Sequence, residues 1–223
     1  MKKNSALILL FLSLFFTSCS SFKIINSWKA ETANKMNDKK ILVVGRSADK
    51  DLRIAFENAI TKKFVDAGLN AISSHTQFPD FKPAAKITEQ QKKQIRSILE
   101  QNSYNGVVLT VLKDYQERSR EVGAEKYETT VYYGGATYPD AYGGFYNYFY
   151  LPGTYSSDQV SLKTEGTTIT SKLYILETVV YDLTQEEGKQ LVAWTTASIE
   201  NPDVSPSIAS SYANAVAKGF KSK

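Results

Sequence analysis

Two short, continuously apolar segments restrict the folds open to this chain. Residues 40–45 (KILVVG) and 106–112 (GVVLTVL) have the length of a β-strand and no polar alternation, which is typical of strands buried on both faces. A helical pattern over about 50–67 and a short strand over 70–73 lie between them. A second helical pattern runs from about 88 to 102. The order β-α-β-α-β favours parallel strands joined by right-handed crossovers.

The second half of the chain predicts antiparallel structure. Residues 113–130 interleave acidic and basic side chains, which indicates a solvated face, and a short strand follows at 129–132. Two stretches rich in β-branched residues, 167–181 and 189–199, flank a polar turn and predict a hairpin. Ser205-Pro206 then opens a final helix. We therefore predict an α/β fold of the mixed α+β kind, in which one mixed sheet carries packed helices.

The N-terminus has the parts of a secretory signal peptide. Lys2 and Lys3 form a positive region, and residues 6–16 are almost entirely apolar. This stretch is shorter than the roughly 20 residues that a membrane-spanning helix needs. Two small residues then precede Cys19, an arrangement that resembles a bacterial lipobox. We predict that residues 1–18 are removed and that Cys19 is acylated; a buried apolar helix is the alternative.

The cysteine usage agrees with a lipid anchor. Cys19 is the only cysteine, so the chain has no disulfide framework. In bacterial lipoproteins generally, an Asp after the cysteine retains the protein at the inner membrane, whereas this chain has Ser20. We therefore expect a lipid-anchored protein at the periplasmic face of the outer membrane. Residues 19–39 would be the lipidated N-terminus and a tether, and residues 40–223 a single domain.

Charge excludes one large class of partner. Loss of Lys2 and Lys3 with the signal peptide leaves 25 basic residues of 27 against 23 acidic ones, so the formal net charge falls from +4 to +2. The charges are scattered and form no basic stripe. Nucleic-acid binding needs such a stripe, and we do not expect it here.

One segment is unusual in composition. Nine of the 14 tyrosines lie between residues 127 and 155, and the segment 133–157 is also rich in glycine. Tyrosine supplies a large amphipathic contact area at low entropic cost, so this insertion is the candidate binding surface. A partner protein, a glycan or a membrane interface would suit it, and a loop without a ligand is the alternative interpretation. The candidate binding residues are Tyr142, Phe145, Tyr146, Tyr148 and Tyr150.

A search for catalytic residues finds no pattern that indicates an enzyme. His75 is the only histidine and falls in a predicted exposed loop, so neither a zinc site nor a Ser-His-Asp triad has its partners. The turn 45–49 has one glycine and no phosphate-binding motif. Paired carboxylates cannot be assigned to a cleft from spacing alone. We predict a non-enzymatic protein with no cofactor and no metal.

The motifs together resemble a family of small bacterial envelope lipoproteins. A lipobox is followed by a Trp-containing segment, KILVVG, AGLNA, YNGVVLT, a Tyr/Gly-rich insertion and ETVVYDL with GKQLVAW. At the level of element order the chain is also similar to the curli secretion lipoprotein and to lipoprotein activators of peptidoglycan synthases. The resemblance implies an envelope location, and it brings no catalytic motif.

These observations lead to one functional hypothesis and one alternative. We predict a lipid-anchored periplasmic lipoprotein that binds another envelope component, a protein or a glycan, through the aromatic insertion. The alternative is a structural subunit of a homo-oligomeric envelope or secretion assembly, which the curli-type likeness implies.

Overall fold

One mixed sheet organises the chain. A computed structural model describes residues 22–47, 49–80, 88–121, 127–133, 145, 168–200 and 206–221. The strands are β1 (Phe22–Lys29), β2 (Lys40–Arg46), β3 (Asn70–Ser73), β4 (Gly106–Glu121), β5 (Tyr127–Tyr133), β6 (Thr168–Asp182) and β7 (Leu191–Glu200). The α-helices are α1 (Lys50–Asp66), α2 (Ser74–Gln77), α3 (Glu89–Gln101) and α4 (Pro206–Lys221), and a 3₁₀ helix spans Glu31–Asp38.

The strand order is β1-β7-β6-β4-β2-β3, and β5 pairs with β4. β2 is parallel to both β3 and β4, whereas every other pair is antiparallel. The predicted α/β class with a mixed sheet is therefore confirmed, including the β6–β7 hairpin and the closing helix. β5 occupies the edge of β4 beyond the end of β2, because β4 is longer than its parallel neighbour.

Local signals set the ends of helix α1. The Asp49 side chain accepts hydrogen bonds from the main-chain N–H groups of Asp51 and Leu52, each at 3.0 Å, and thereby caps the helix. Ala67 closes the C-terminus, and Gly68 follows with a φ of +86°, a conformation that favours glycine. These contacts turn the chain directly into β3, which lies parallel to β2.

The prediction of a tether over residues 19–39 is wrong from residue 22 onward. β1 pairs antiparallel with β7 from Phe22 to Lys29, interrupted only at Ile25, and the 3₁₀ helix buries Ala33 and Met36 completely. β1 mixes apolar residues with Lys23, Asn26 and Ser27 in no regular alternation, so the sequence alone did not predict this strand. β1 is stabilised by hydrogen bonds to β7, which is distant in the sequence, and the residues of β1 alone do not predict those bonds. β1 and the 3₁₀ helix are therefore part of the folded domain.

The charged segment after residue 112 belongs to the sheet. Its sequence predicts a solvated face and a strand over 129–132, and the structure adds that β4 continues to Glu121 with β6 on one side and β5 on the other. The register shifts between Leu112 and Asp114, where one residue bulges out of the ladder. Long pairing on both sides satisfies the backbone despite the charged sequence.

Each face of the sheet carries its own core. The first core joins the sheet to α1 and α4, and Tyr212 of α4 sits within it, fully buried and 5.3 Å from the ring of Phe56. The second core lies on the opposite face and joins the sheet to α3, with Ile95 and Leu99 buried. Phe145 belongs to this second core.

Candidate functional site

Phe145 is the one predicted binding residue that the described chain contains, and its side chain is buried. Its ring is 1% exposed and lies 5.5 Å from the ring of Tyr181 in an edge-on arrangement. Its main-chain N–H donates to Oε1 of Gln190 at 3.1 Å. Leu99 of α3 also lines the space around it. Phe145 therefore contributes to the core and not to an exposed binding surface, because its ring fills the space between α3 and the sheet.

The other predicted site residues lie outside the described residues. They are Cys19, Tyr142, Tyr146, Tyr148 and Tyr150. What the structure adds is the position of Phe145, which is adjacent in sequence to Tyr146 and fixes one point of the Tyr/Gly-rich segment on the sheet.

A buried polar cluster lies at the carboxyl ends of β2 and β3. Oε1 of Glu57 accepts from the main-chain N–H of Gly45 at 2.9 Å, from Nε of Arg53 at 2.8 Å and from Oγ of Ser74 at 2.8 Å. Oε2 accepts from the main-chain N–H of His75 at 2.8 Å and lies 2.9 Å from its Nδ1. Since an ionised carboxylate only accepts, Nδ1 carries the proton. One carboxylate thus joins α1 to the ends of two strands.

The electrostatics of this cluster favour a charged Glu57. Burial raises the pKa of Glu57, but hydrogen bonds from the Gly45 main chain, Arg53, the His75 main chain and Ser74 outweigh that effect and lower its pKa below 4.5. The carboxylate has five donors around it, so its role in the described geometry is to hold the fold together.

His75 does not lie in an exposed loop as the sequence predicted. It is the second residue of the short helix α2, and its Nδ1 lies 2.9 Å from Oε2 of Glu57. The sequence analysis also missed Arg53 and Glu57, because charges four residues apart on a helix usually mark a solvated pair. Their spacing with Ile60 and Phe64, on one helical stripe, was the signal that they face inward.

A second buried acid connects the middle strands. Glu177 of β6 is 1% exposed, and its Oε2 accepts from Nζ of Lys113 at 2.7 Å and from Oγ1 of Thr196 at 3.1 Å. The hydroxyl of Thr178 next to it lies 2.7 Å from that of Tyr212. The contacts of Glu177 tie β4, β6 and β7 together on one face of the sheet, and the contact of Thr178 with Tyr212 attaches α4 to β6 on the other face.

An open, mainly apolar pocket lies beside the turn after β2. Its empty space is about 440 Å³ counted to the solvent opening, and Arg46, Phe56 and Leu176 are among its walls. Ligands gather at the carboxyl ends of parallel strands in open α/β sheets. The walls here bring together no set of acids, bases or nucleophiles that defines a reaction.

The outer edge of β1 exposes apolar side chains. Ile24, Ile25 and Trp28 are 41%, 51% and 44% exposed, and among the described residues they are three of the four large hydrophobic side chains at the surface. The fourth is Val65 on α1. Within the described sheet β1 pairs with β7 alone, so its other edge is open.

The described part of the chain contains no group of three or more His, Cys, Asp or Glu side chains arranged to hold a metal ion. None of the helices in that same part is both long and apolar enough to cross a membrane.

Comparison with known proteins gives only a weak likeness. No protein-family model matches the chain, and no curated protein matches it. Among solved structures it is similar to the PelC dodecamer from Paraburkholderia phytofirmans, with a TM-score of 0.40 and 8% identity over 92% of this chain and 99% of that chain. A variant of the same dodecamer gives a TM-score of 0.39 and 8% identity over 92% and 100%.

Proposed function

We propose that this chain is a non-catalytic lipoprotein, anchored by an acylated Cys19 at the periplasmic face of the outer membrane, which binds another envelope component through the tyrosines around Phe145. The seating of Phe145 supports the binding role. Its ring lies in the second core and its N–H group is bonded to Gln190, so one point of the Tyr/Gly-rich segment is held on the domain.

The attachment of the segment through Phe145 matters for affinity, because binding must order the groups that make the contact. Tyr142, Tyr146, Tyr148 and Tyr150 all lie within five residues of Phe145. A segment that is already held at one point loses less conformational freedom on binding than a free chain does. The tyrosine side chain stacks on sugars and packs on proteins while its hydroxyl forms hydrogen bonds.

Membrane anchoring is tested by the intact mass of the protein purified from cell envelopes. We expect the mass of residues 19–223 with attached acyl chains. The Cys19→Ser variant should keep residues 1–18 and carry no acyl chain. A wild-type protein with a free thiol at Cys19 would contradict the proposed anchor.

The binding role is tested by crosslinking and capture from intact envelopes. The test variant replaces Tyr142, Tyr146, Tyr148 and Tyr150 by Ser and keeps Phe145, so the core contact is preserved. The matched control carries Val65→Ser, a change at an exposed site on α1. We expect the partner with wild type and control but not with the test variant.

Two results would count against this function. Unchanged capture by the tyrosine variant would remove the aromatic segment from the binding surface. Capture of nothing except further copies of the chain would favour the homo-oligomeric assembly instead.

A further inference from the structure

Among the described residues, the large apolar side chains that are exposed are concentrated on one strand. Ile24, Ile25 and Trp28 all lie on β1, within five positions of one another. β1 is the outermost strand of the described sheet, and the register places Ile24 opposite Ala197 and Trp28 opposite Trp194, so these two side chains lie on opposite faces of the strand. Large apolar side chains exposed on both faces of an edge strand indicate a contact surface along that edge.

The position of β1 in the chain identifies what it would contact. Phe22 begins the strand three residues after Cys19. Consecutive Cα atoms are about 3.8 Å apart, so the start of β1 lies at most about 11 Å from the Cα atom of Cys19. An acyl chain on Cys19 would be embedded in the bilayer, and β1 could not leave the immediate vicinity of the membrane surface.

The composition of β1 suits the polar boundary of a bilayer. Tryptophan is enriched at membrane–water interfaces because its ring is apolar and its N–H group is polar. Lys23 is exposed beside Ile24, where its charge would attract anionic phospholipid headgroups. We propose that the outer edge of β1 rests on the phospholipid surface, with Ile24, Ile25 and Trp28 inserted at the headgroup level. This inference rests on the proposed anchoring at Cys19.

A second copy of the chain is the less suitable occupant of this edge. The ladder with β7 is interrupted at Ile25, which has no partner residue, and the strand carries Lys23 and Lys29. Bulges and lysines are the features by which edge strands avoid pairing with another edge. Contact with a lipid surface needs no continuous ladder, so it is compatible with both the bulge and the lysines.

The two tryptophans allow a direct test. Trp28 is 44% exposed, whereas Trp194, its partner across the β1–β7 ladder, is 6% exposed. The full lipoprotein carrying Trp194→Phe is reconstituted into vesicles of phosphatidylethanolamine and phosphatidylglycerol with brominated acyl chains. The fluorescence of Trp28 is compared with that of Trp194 in the Trp28→Phe variant, and the intact mass of each protein is measured first.

We expect bromine to quench Trp28 several-fold more strongly than Trp194. Adding Ile24→Ser and Ile25→Ser should reduce the quenching of Trp28, whereas Val65→Ser should leave it unchanged. Equal quenching of both tryptophans in an acylated protein would overturn the membrane contact alone. Light scattering that then shows a dimer would assign the β1 edge to a second copy. An unacylated Cys19 would overturn the anchor and this inference together.

Discussion

The carboxylate of Glu57 accepts the main-chain N–H of Gly45 at 2.9 Å, so a side chain of α1 completes the hydrogen bonding at the end of β2. The same carboxylate accepts hydrogen bonds from Arg53 of its own helix and from Ser74, the first residue of α2. The turn after β2, where a ligand site would be expected in this architecture, is therefore fixed by an internal acid.

Replacing this acid should destabilise the protein strongly. In Glu57→Gln the buried Arg53 guanidinium loses its counter-charge, and the new amide group points a donor at other donors. Removing one partner of a buried pair costs about 3–5 kcal/mol. We expect a loss of this size in the free energy of unfolding, measured by urea denaturation.

The matched control is the second ion pair on the same helix. Lys62 and Asp66 are also four residues apart, but their side chains are 71% and 50% exposed. Lys62→Gln should change the free energy of unfolding by less than about 0.5 kcal/mol, because exposed pairs contribute little. Equal losses in the two variants would show that the Glu57 cluster is not a buried network.

Acid should weaken the protein partly through Glu57. Its pKa is lowered in the folded state, so the folded form binds the proton less well than the unfolded form does. The stabilisation is present above the ordinary value of 4.5 and is lost as the pH falls below it through the lowered pKa. Urea denaturation from pH 7 to pH 3 should show a steeper fall for the wild type than for Glu57→Gln, and parallel curves would contradict this assignment.

Phe145→Ala should remove the core contact that holds the Tyr/Gly-rich segment on the sheet, while leaving the candidate binding tyrosines unchanged. Emptying a buried aromatic site costs about 3–5 kcal/mol, so the free energy of unfolding should fall by that amount. The Tyr/Gly-rich segment loses its attachment at the same time, and limited proteolysis should cut it faster. Tyr148→Ala should leave stability unchanged; if it is equally destabilising, Tyr148 is a core residue.

Gly219 marks a close approach between α4 and β7. A Cβ atom on Gly219 would lie 2.7 Å from Oγ1 of Thr195. Overpacking costs about 1–3 kcal/mol, and the helix propensity of alanine returns at most about 1 kcal/mol. We expect Gly219→Ala to destabilise the wild type by about 1 kcal/mol. In a Thr195→Ala background, which removes Oγ1, the same change should stabilise by a similar amount, and thermal unfolding of the four proteins checks the sign.

The elements that sequence reasoning predicted correctly are those with a local signature. The apolar run of β2 and the helical pattern of α1 each depend on residues that are close together in the sequence. β1 was missed because its partner β7 lies far away in the sequence, and because the irregularity at Ile25 breaks the alternation of apolar and polar residues that would indicate a strand.

The candidate site was predictable only in part. Tyrosine enrichment drew attention to the segment around Phe145, but composition could not tell which aromatic ring faces the core. Burial of Phe145 depends on the space left between α3 and the sheet, which is a property of the packed structure. Arg53 and Glu57 were not predicted as site residues, because opposite charges four residues apart on a helix usually form a solvated pair.

The pairing of β1 with β7 also determines when β1 can join the sheet during folding. Phe22 lies opposite Ile199, so residues from the two ends of the chain share one ladder. Ribosomes release the N-terminus first, and contacts so distant in sequence require closure of a very large loop, which slows folding. The first strand to be synthesised is therefore among the last to join the sheet. A product truncated before Leu191 would lack the strand with which β1 pairs.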